Sequence, residues 1–273
     1  MPELPEVETF VRSLKFGGMT GEPILNRLIQ HADLFWHRTL AFSDEGDNFL
    51  SWFPGKTIED ITRRGKYIIL SIPPKFLIIH LRMSGDLRVE SQNSHINKKH
   101  DRFLIEFCDS YRLVFNDPRK FGRIWLISHP EYVFQQLGIE PLSSSFTAAW
   151  MKENARKKKK VIKTLLLDQT FIAGIGNIYS DEALYRAGIH PNRKADDLSD
   201  AEIDQLTHAI QNVLQAGIAQ NGASIDWVYR GGSFQNHFQV YHRSGKPCYR
   251  CGTLIERSVI GQRSAHFCPN CQI

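Results

Sequence analysis

Arg102-Phe-Leu-Ile-Glu-Phe-Cys108 and Tyr111-Arg-Leu-Val-Phe-Asn116, with only Asp109 and Ser110 between them, read as β-structure. Both runs are short, rich in aromatic and branched residues, and bounded by turn formers. Phe103, Ile105 and Phe107 alternate against Leu104 and Glu106, although Leu104 blurs the pattern. Outward from this pair lie similar segments: Lys66–Ile72, Phe76–Leu81, Asp86–Glu90 and Arg123–Ile127. Short strands at this spacing predict a β-sandwich or barrel. Upstream of them, Pro2 and Pro5 suit a helix start. Glu3, Glu6 and Glu8 suit its positive end, and Val7, Val11 and Leu14 form an apolar face.

Beyond a Pro and Ser cluster at 141–146 the period becomes helical. Leu165, Leu166, Phe171 and Ile172 lead into a Gly-rich turn, and Ile178, Ala183, Leu184 and Ala187 follow at helical spacing. Residues 200–218 form a long amphipathic helix with Ile203, Leu206, Ile210, Val213 and Leu214 on one side. An α+β multidomain chain is expected: residues 1–140 as helix plus β-sandwich, 141–238 as a helical lobe, and 239–273 as a cysteine-bearing unit.

With 42% hydrophobic residues the chain can build cores, which excludes disorder. Its 34 Lys+Arg against 29 Asp+Glu leave a net charge of +5, compatible with a polyanionic partner. The longest apolar stretch, 67–81, is broken by Pro73, Pro74 and Lys75, and no signal peptide precedes the first helix. A soluble cytosolic protein is expected, in which disulfides would be unusual.

Cys248-x-x-Cys251 and Cys268-x-x-Cys271, sixteen residues apart, fit a four-thiolate zinc ribbon with a β-hairpin between the knuckles. Two redox dithiols or disulfides are the alternative. One structural Zn²⁺ is expected, and it should supply most of the folding energy of so small a unit. Cys108, in an apolar strand, is expected to be inert core. The ribbon carries Arg243, Lys246, Arg250, Arg257 and Arg263 against Glu256, a formal +4 that four thiolates and one zinc reduce to about +2. Taken alone, Arg263 reads as a solvated surface arginine.

Removal of Met1 would expose Pro2 as a secondary amine, which titrates well below a lysine and is partly free base at neutral pH. Attack on an aldehyde carbon would give an iminium with a fixed positive charge, a good electron sink. Glu3 beside it could act as general acid or base. The neighbouring carboxylates raise the pKa of the amine, so burial or a cation must oppose them. On the residues alone, a plain helix start is the stronger reading of this segment.

Taken together, the two ends change that balance. Pro2-Glu-Leu-Pro-Glu-Val-Glu-Thr and the C-terminal ribbon resemble the bacterial formamidopyrimidine-DNA glycosylase (Fpg/Nei) family. The resemblance runs in order through Arg64-Gly-Lys-Tyr, His80-Leu-Arg-Met-Ser-Gly, Lys99-His-Asp, Asp117-Pro-Arg-Lys-Phe-Gly, Gly138-Ile-Glu-Pro-Leu, Gly174-Ile-Gly-Asn-Ile-Tyr, Ala187-Gly-Ile-His-Pro and Gln239-Val-Tyr. The opening resembles the oxidised-purine branch.

This resemblance implies a monomeric base-excision-repair enzyme acting on damaged double-stranded DNA, cytoplasmic and nucleoid-associated. It would be a bifunctional glycosylase and AP lyase that removes 8-oxoguanine and formamidopyrimidines, then cleaves by β,δ-elimination. Its helical lobe would hold a helix–two-turn–helix. Pro2 would be the Schiff-base nucleophile, Glu3 the acid and Glu6 a second acidic residue of the site. Lys66 would handle a proton in β-elimination, and Arg263 would serve δ-elimination. His100, Arg119, Lys158, Asn177 and Tyr241 would bind DNA, Asn177 with the help of a helix N-terminus. Met83, Arg119 and Phe121 would wedge into the space left by the flipped nucleotide. Without the resemblance, Met83 and Phe121 read as strand packing, and 156–160 as a solvated helix face.

Three departures stand out. Thr164 replaces a common Pro, His242 replaces a common Gly, and residues 223–238 are short. The family loop over the flipped base falls in that region, and Arg230-Gly-Gly-Ser233 is flexible enough to serve, but its length leaves substrate ranking open. Two rival classes remain: a non-catalytic damage-binding protein on the same scaffold, and a zinc-ribbon transcription factor.

Overall fold

The structure is a computed structural model that describes residues 1–97, 99–224 and 231–273. Met1–Gln135 makes up most of one compact unit, and Gln136–Ala223 with Gly232–Ile273 the other. No helix among the described residues is long and apolar enough to cross a membrane.

The first unit opens with α1 (Leu4–Phe16), whose buried face includes Leu4, Val7, Phe10, Val11 and Leu14. Strands β1 (Ile29–Leu34), β2 (Leu40–Ser43), β3 (Asp60–Arg64), β4 (Tyr67–Ile72), β5 (Lys75–His80), β6 (Asp86–Ser91), β7 (Asp101–Phe107), β8 (Tyr111–Asn116) and β9 (Arg123–Ile127) follow, then a short α2 (Glu131–Phe134). They form a four-stranded sheet, β1-β7-β8-β6, and a five-stranded sheet, β2-β9-β5-β4-β3. Both sheets and α1 close on one core, with Ile61, Leu70, Leu77 and Ile124 from one sheet and Phe103, Ile105, Leu113 and Phe115 from the other. This is the expected sandwich. The β7–β8 pairing sets Phe103 opposite Phe115 and Ile105 opposite Leu113, which puts the alternating residues on the inner face. Cys108 departs from expectation. It lies one residue past β7 and is exposed, because the chain has already turned out of the sheet.

The second unit holds α3 (Ala148–Ala155), α4 (Ile162–Leu167), α5 (Asn177–Ala187), α6 (Asp200–Ala219) and the ribbon hairpin β10 (Glu256–Ile260) and β11 (Arg263–Phe267). Two turns between α4 and α5 produce the helix–two-turn–helix. The Phe171 amide donates to Asp168 O at 2.9 Å, and the Gly174 amide to Gln169 Oε1 at 3.0 Å. Ser199 and Glu202 form a capping box that starts α6. The ribbon shares a small core with α5, in which Tyr185 packs with Val240, Cys248, Ile255 and Cys268.

Candidate active site and metal centre

Glu3 is the N-cap of α1 and forms a reciprocal box with Glu6: its amide donates to Glu6 Oε2 at 2.8 Å, and its side chain accepts from the Glu6 amide. Glu3 and Glu6 are 3% and 2% exposed, and Pro2 is buried. Pro2 therefore sits one residue before the positive end of a helix dipole, in a desolvated position. Met1, by contrast, is exposed, so its loss disturbs no core.

Lys66 is buried in the two-residue link between β3 and β4, where Arg64 pairs with Tyr67. Gly65 takes φ +55°, as the first position of such a turn demands. Close by in the same unit, His80 is buried. Burial first, then the positive charges of Arg82 and Lys66, push its imidazole down to about 3. The ring is neutral, and its Nδ1 accepts the Arg82 amide at 3.0 Å. Arg82 is left-handed at φ +54° and leads into Met83.

Met83 and Phe121 are 43% and 47% exposed, which rules out strand packing. Arg119 is also exposed, with its guanidinium carbon 5.1 Å from the centroid of the Phe121 ring. His100 is half-buried, and its Nδ1 is buried without a hydrogen-bond partner among the described residues.

In the second unit, Asn177 opens α5 after Gly176. Its amide group donates to Ser264 Oγ at 3.2 Å, while its Oδ1 is buried with no hydrogen-bond partner among the described residues. Below it lies a polar network that sequence reasoning missed. Lys163 Nζ donates to Ser180 Oγ at 2.8 Å and pairs with Asp181 Oδ1 at 2.5 Å. Asp181 Oδ2 in turn accepts the His266 amide at 3.0 Å. Beside it, the Glu182 carboxylate accepts the amides of Gln239, Val240 and Tyr241 at 2.9–3.1 Å, fixing the half-buried Tyr241. The available signal was Ser180-Asp-Glu182, three polar residues inside a helix buried on nearly every side. His242, at φ +55°, stacks on Tyr241 with ring centroids 4.5 Å apart.

The basic run 156–160 is not a helix face: α3 ends at Ala155 and the run forms the turn that follows. Arg156 pairs with Asp200, Lys157 with Glu153 at 2.9 Å, and Lys160 with Asp168 at 2.8 Å. Among the described residues, the Lys158 and Lys159 side chains carry no ion pair. Arg263 opens β11 after the turn Gly261-Gln262, both residues having positive φ, and is exposed. A Cβ on Gly261 would lie 2.5 Å from Thr164 Cγ2, so the turn abuts the residue that departs from the family pattern. Within the segment 223–238, residues 225–230, including Arg230 of the loop candidate Arg230-Gly-Gly-Ser233, lie outside the described residues.

The four sulfurs of Cys248, Cys251, Cys268 and Cys271 lie within 4.8 Å of one another. Cys248 and Cys271 are 3.9 Å apart, and Cys251 and Cys268 3.5 Å. A tetrahedron with Zn–S bonds of about 2.3 Å needs sulfurs about 3.8 Å apart, so this donor set fits one zinc ion with no position left for substrate. Hydrogen bonds from Thr253 and Asn270 hold the Cys251 thiol down at about 5, whereas burial pushes Cys268 up and Cys271 up to about 12, so the bound cation must supply the charge that makes all four thiolates.

Comparison with known proteins agrees along the chain. Family models match at residues 1–124 (formamidopyrimidine-DNA glycosylase N-terminal domain), 137–228 (formamidopyrimidine-DNA glycosylase H2TH domain) and 245–273 (zinc finger found in FPG and IleRS). The formamidopyrimidine-DNA glycosylase of Chloroflexus aurantiacus is 43% identical over 100% of this chain and 98% of its own length. That of Shouchella clausii is 39% identical over 100% and 99%. Lactococcus lactis Fpg, solved in complex with an abasic site containing DNA, superposes with a TM-score of 0.90 at 36% identity, covering 99% of each chain. A solved MutM in complex with carbocyclic 8-oxo-G containing DNA gives 0.90 at 37% identity, covering 100% of each. With sandwich, helical lobe and ribbon all matched in order, the chain belongs to the formamidopyrimidine-DNA glycosylase family.

Proposed function

We propose that the protein excises oxidised purines, 8-oxoguanine and formamidopyrimidines, from double-stranded DNA and then cleaves the abasic site by β,δ-elimination through a Schiff base on Pro2. The observation that carries this reading is the buried capping box at the N-terminus. It fixes Glu3 next to the buried Pro2 at the positive end of a helix, where loss of Met1 would leave a desolvated secondary amine.

In this mechanism Pro2 Nα attacks C1′ of the flipped nucleotide, and the damaged base departs with the glycosidic electron pair. Glu3 gives a proton to O4′, the sugar ring opens, and an iminium joins Pro2 to C1′. Loss of a C2′ proton then expels the 3′ phosphate, with Lys66 managing the proton. A second elimination, served by Arg263, expels the 5′ phosphate, and water releases the sugar fragment from Pro2. Glu6 acts by holding the Glu3 amide. His100, Arg119, Lys158, Asn177 and Tyr241 bind DNA, with the phosphate at Asn177 facing the α5 N-terminus. Met83, Arg119 and Phe121 fill the vacated stack; Arg119 supplies planar donors for the orphaned base. Zinc, held by Cys248, Cys251, Cys268 and Cys271, keeps the ribbon folded. We assign the catalytic domain to residues 1–140, the DNA-binding helical domain to 141–238 and the finger to 239–273, and expect a monomer in the bacterial cytoplasm, on the nucleoid.

Borohydride trapping on DNA with a preformed abasic site tests the mechanism. A covalent adduct is expected with the wild-type protein and should be lost in Pro2→Gly. Undiminished trapping by Pro2→Gly, or no adduct at all, sinks it. A panel of duplexes bearing different oxidised bases opposite cytosine or adenine then ranks the substrates.

A further inference from the structure

Asp117 is 1% exposed, and hydrogen bonds occupy both its main chain and its carboxylate. Its amide donates to His100 O at 2.8 Å, and its carbonyl accepts Arg102 Nε at 2.7 Å. Oδ2 accepts the Gly122 amide at 2.7 Å. Oδ1 accepts the Arg119 amide at 3.2 Å and also the Ser84 hydroxyl. One carboxylate thus joins the turn that carries Met83 to the turn that carries Arg119 and Phe121.

The two turns also share a floor. A Cβ on Gly85 would lie 2.8 Å from the Phe115 ring, and one on Gly122 2.3 Å from it, so both backbones rest on that ring. From outside, Lys120 takes φ +62° and sets its ammonium 4.1 Å from the centre of the Trp36 ring. Burying a carboxylate is costly unless donors surround it. Here the donors are the two turns that display partly exposed Met83 and Phe121.

We infer that Asp117 is a positioning residue that presents Met83, Arg119 and Phe121 to DNA as one preformed wedge. The inference rests on the proposed wedge role of those three side chains. Insertion into a base stack must offset the unstacking cost, and a wedge already ordered loses less entropy on binding than two loose turns. Asp117→Asn keeps the size but must turn an NH₂ towards either the Arg119 amide or the Gly122 amide, so one turn comes loose whichever way it points.

The test compares two substrates in single-turnover experiments, a duplex with 8-oxoguanine and a duplex with a preformed abasic site. Fluorescence of 2-aminopurine beside the lesion reports unstacking. Asp117→Asn should slow lesion release about tenfold, the scale of one lost charged hydrogen bond, while abasic-site incision changes by less than about twofold. The 2-aminopurine rise should slow in step with lesion release. Ser84→Ala should act in the same direction by about threefold, and it decides the matter if Asp117→Asn does not fold. Equal slowing on both substrates, or none on either, overturns the inference. Phe121→Ala and Met83→Ala separate the two levels. If they slow lesion release and unstacking but Asp117→Asn and Ser84→Ala do not, only the role of Asp117 fails. If they leave both readouts at wild-type values, the wedge itself fails, and the inference with it.

Discussion

His80 should give this protein a steep acid limb of its own. The folded imidazole is held down at about 3 against an ordinary value of 6.5, by burial and then by the charges of Arg82 and Lys66. Between those two values the unfolded chain takes up a proton that the folded chain refuses. Stability is therefore highest above pH 6.5 and falls as the pH drops towards 3. At about 1.4 kcal/mol per pH unit, the full span of some 3.5 units amounts to about 5 kcal/mol, comparable to the whole stability of a modest domain. Protonation also places an N–H where Nδ1 now accepts the Arg82 amide, so the turn leading to Met83 loosens with it. The perturbation is His80→Asn, which keeps an acceptor near Nδ1 and removes the titration. Urea unfolding of both proteins at pH 7.5, 6, 5 and 4 should show wild type losing about 1.4 kcal/mol per unit relative to the variant below pH 6.5. Parallel stability curves would mean that His80 binds its proton equally in both states and would refute the reasoning.

Metal analysis should find one zinc per chain. Chelation should unfold the ribbon and abolish DNA binding while leaving the sandwich transition in place, and full DNA binding by metal-free protein would contradict this. Lys158→Ala should lower the slope of log affinity against log salt by about one unit. Lys160→Ala, whose charge Asp168 already balances, should change it by clearly less; equal slopes for the two variants would count against Lys158 as a phosphate contact. Lys163→Met leaves Asp181 charged and buried and should cost about 3–5 kcal/mol in chemical denaturation. The double variant Lys163→Met/Asp181→Asn should recover part of that loss, and strict additivity would show that the pair is not coupled.

Strands with one inward face, such as Tyr67–Ile72 and Asp86–Ser91, are legible because burial imposes alternation and turn residues end them. β1, β2 and β3 are not. Ile29-Gln-His-Ala-Asp-Leu34 buries only Ile29 and Ala32, three positions apart rather than alternate, and β2 pairs in parallel with β9 across some eighty residues, so their order comes from tertiary pairing rather than local pattern. The metal site is plain because four thiolates at fixed spacing have few other uses. Lys66 and Arg263 become candidates only through the ordered resemblance, and Pro2 and Glu3 outweigh a plain helix start only with it, since each is an ordinary residue in its own segment. Cys108 misleads because an apolar run does not mark where the chain leaves the sheet. The pairs Lys163–Asp181 and Asp117–Ser84 join residues 18 and 33 positions apart, a separation at which no periodicity carries information.

The grip of Glu182 on Gln239, Val240 and Tyr241 is made entirely to main-chain amides. A main-chain grip ignores side-chain identity, so residues 239 and 241 can vary without loosening the joint between helix and ribbon. Such a joint lets the side chains at those positions change one substitution at a time, with the scaffold indifferent to each trial. Position 182 has no such freedom, because a shorter side chain would strand three donors at once.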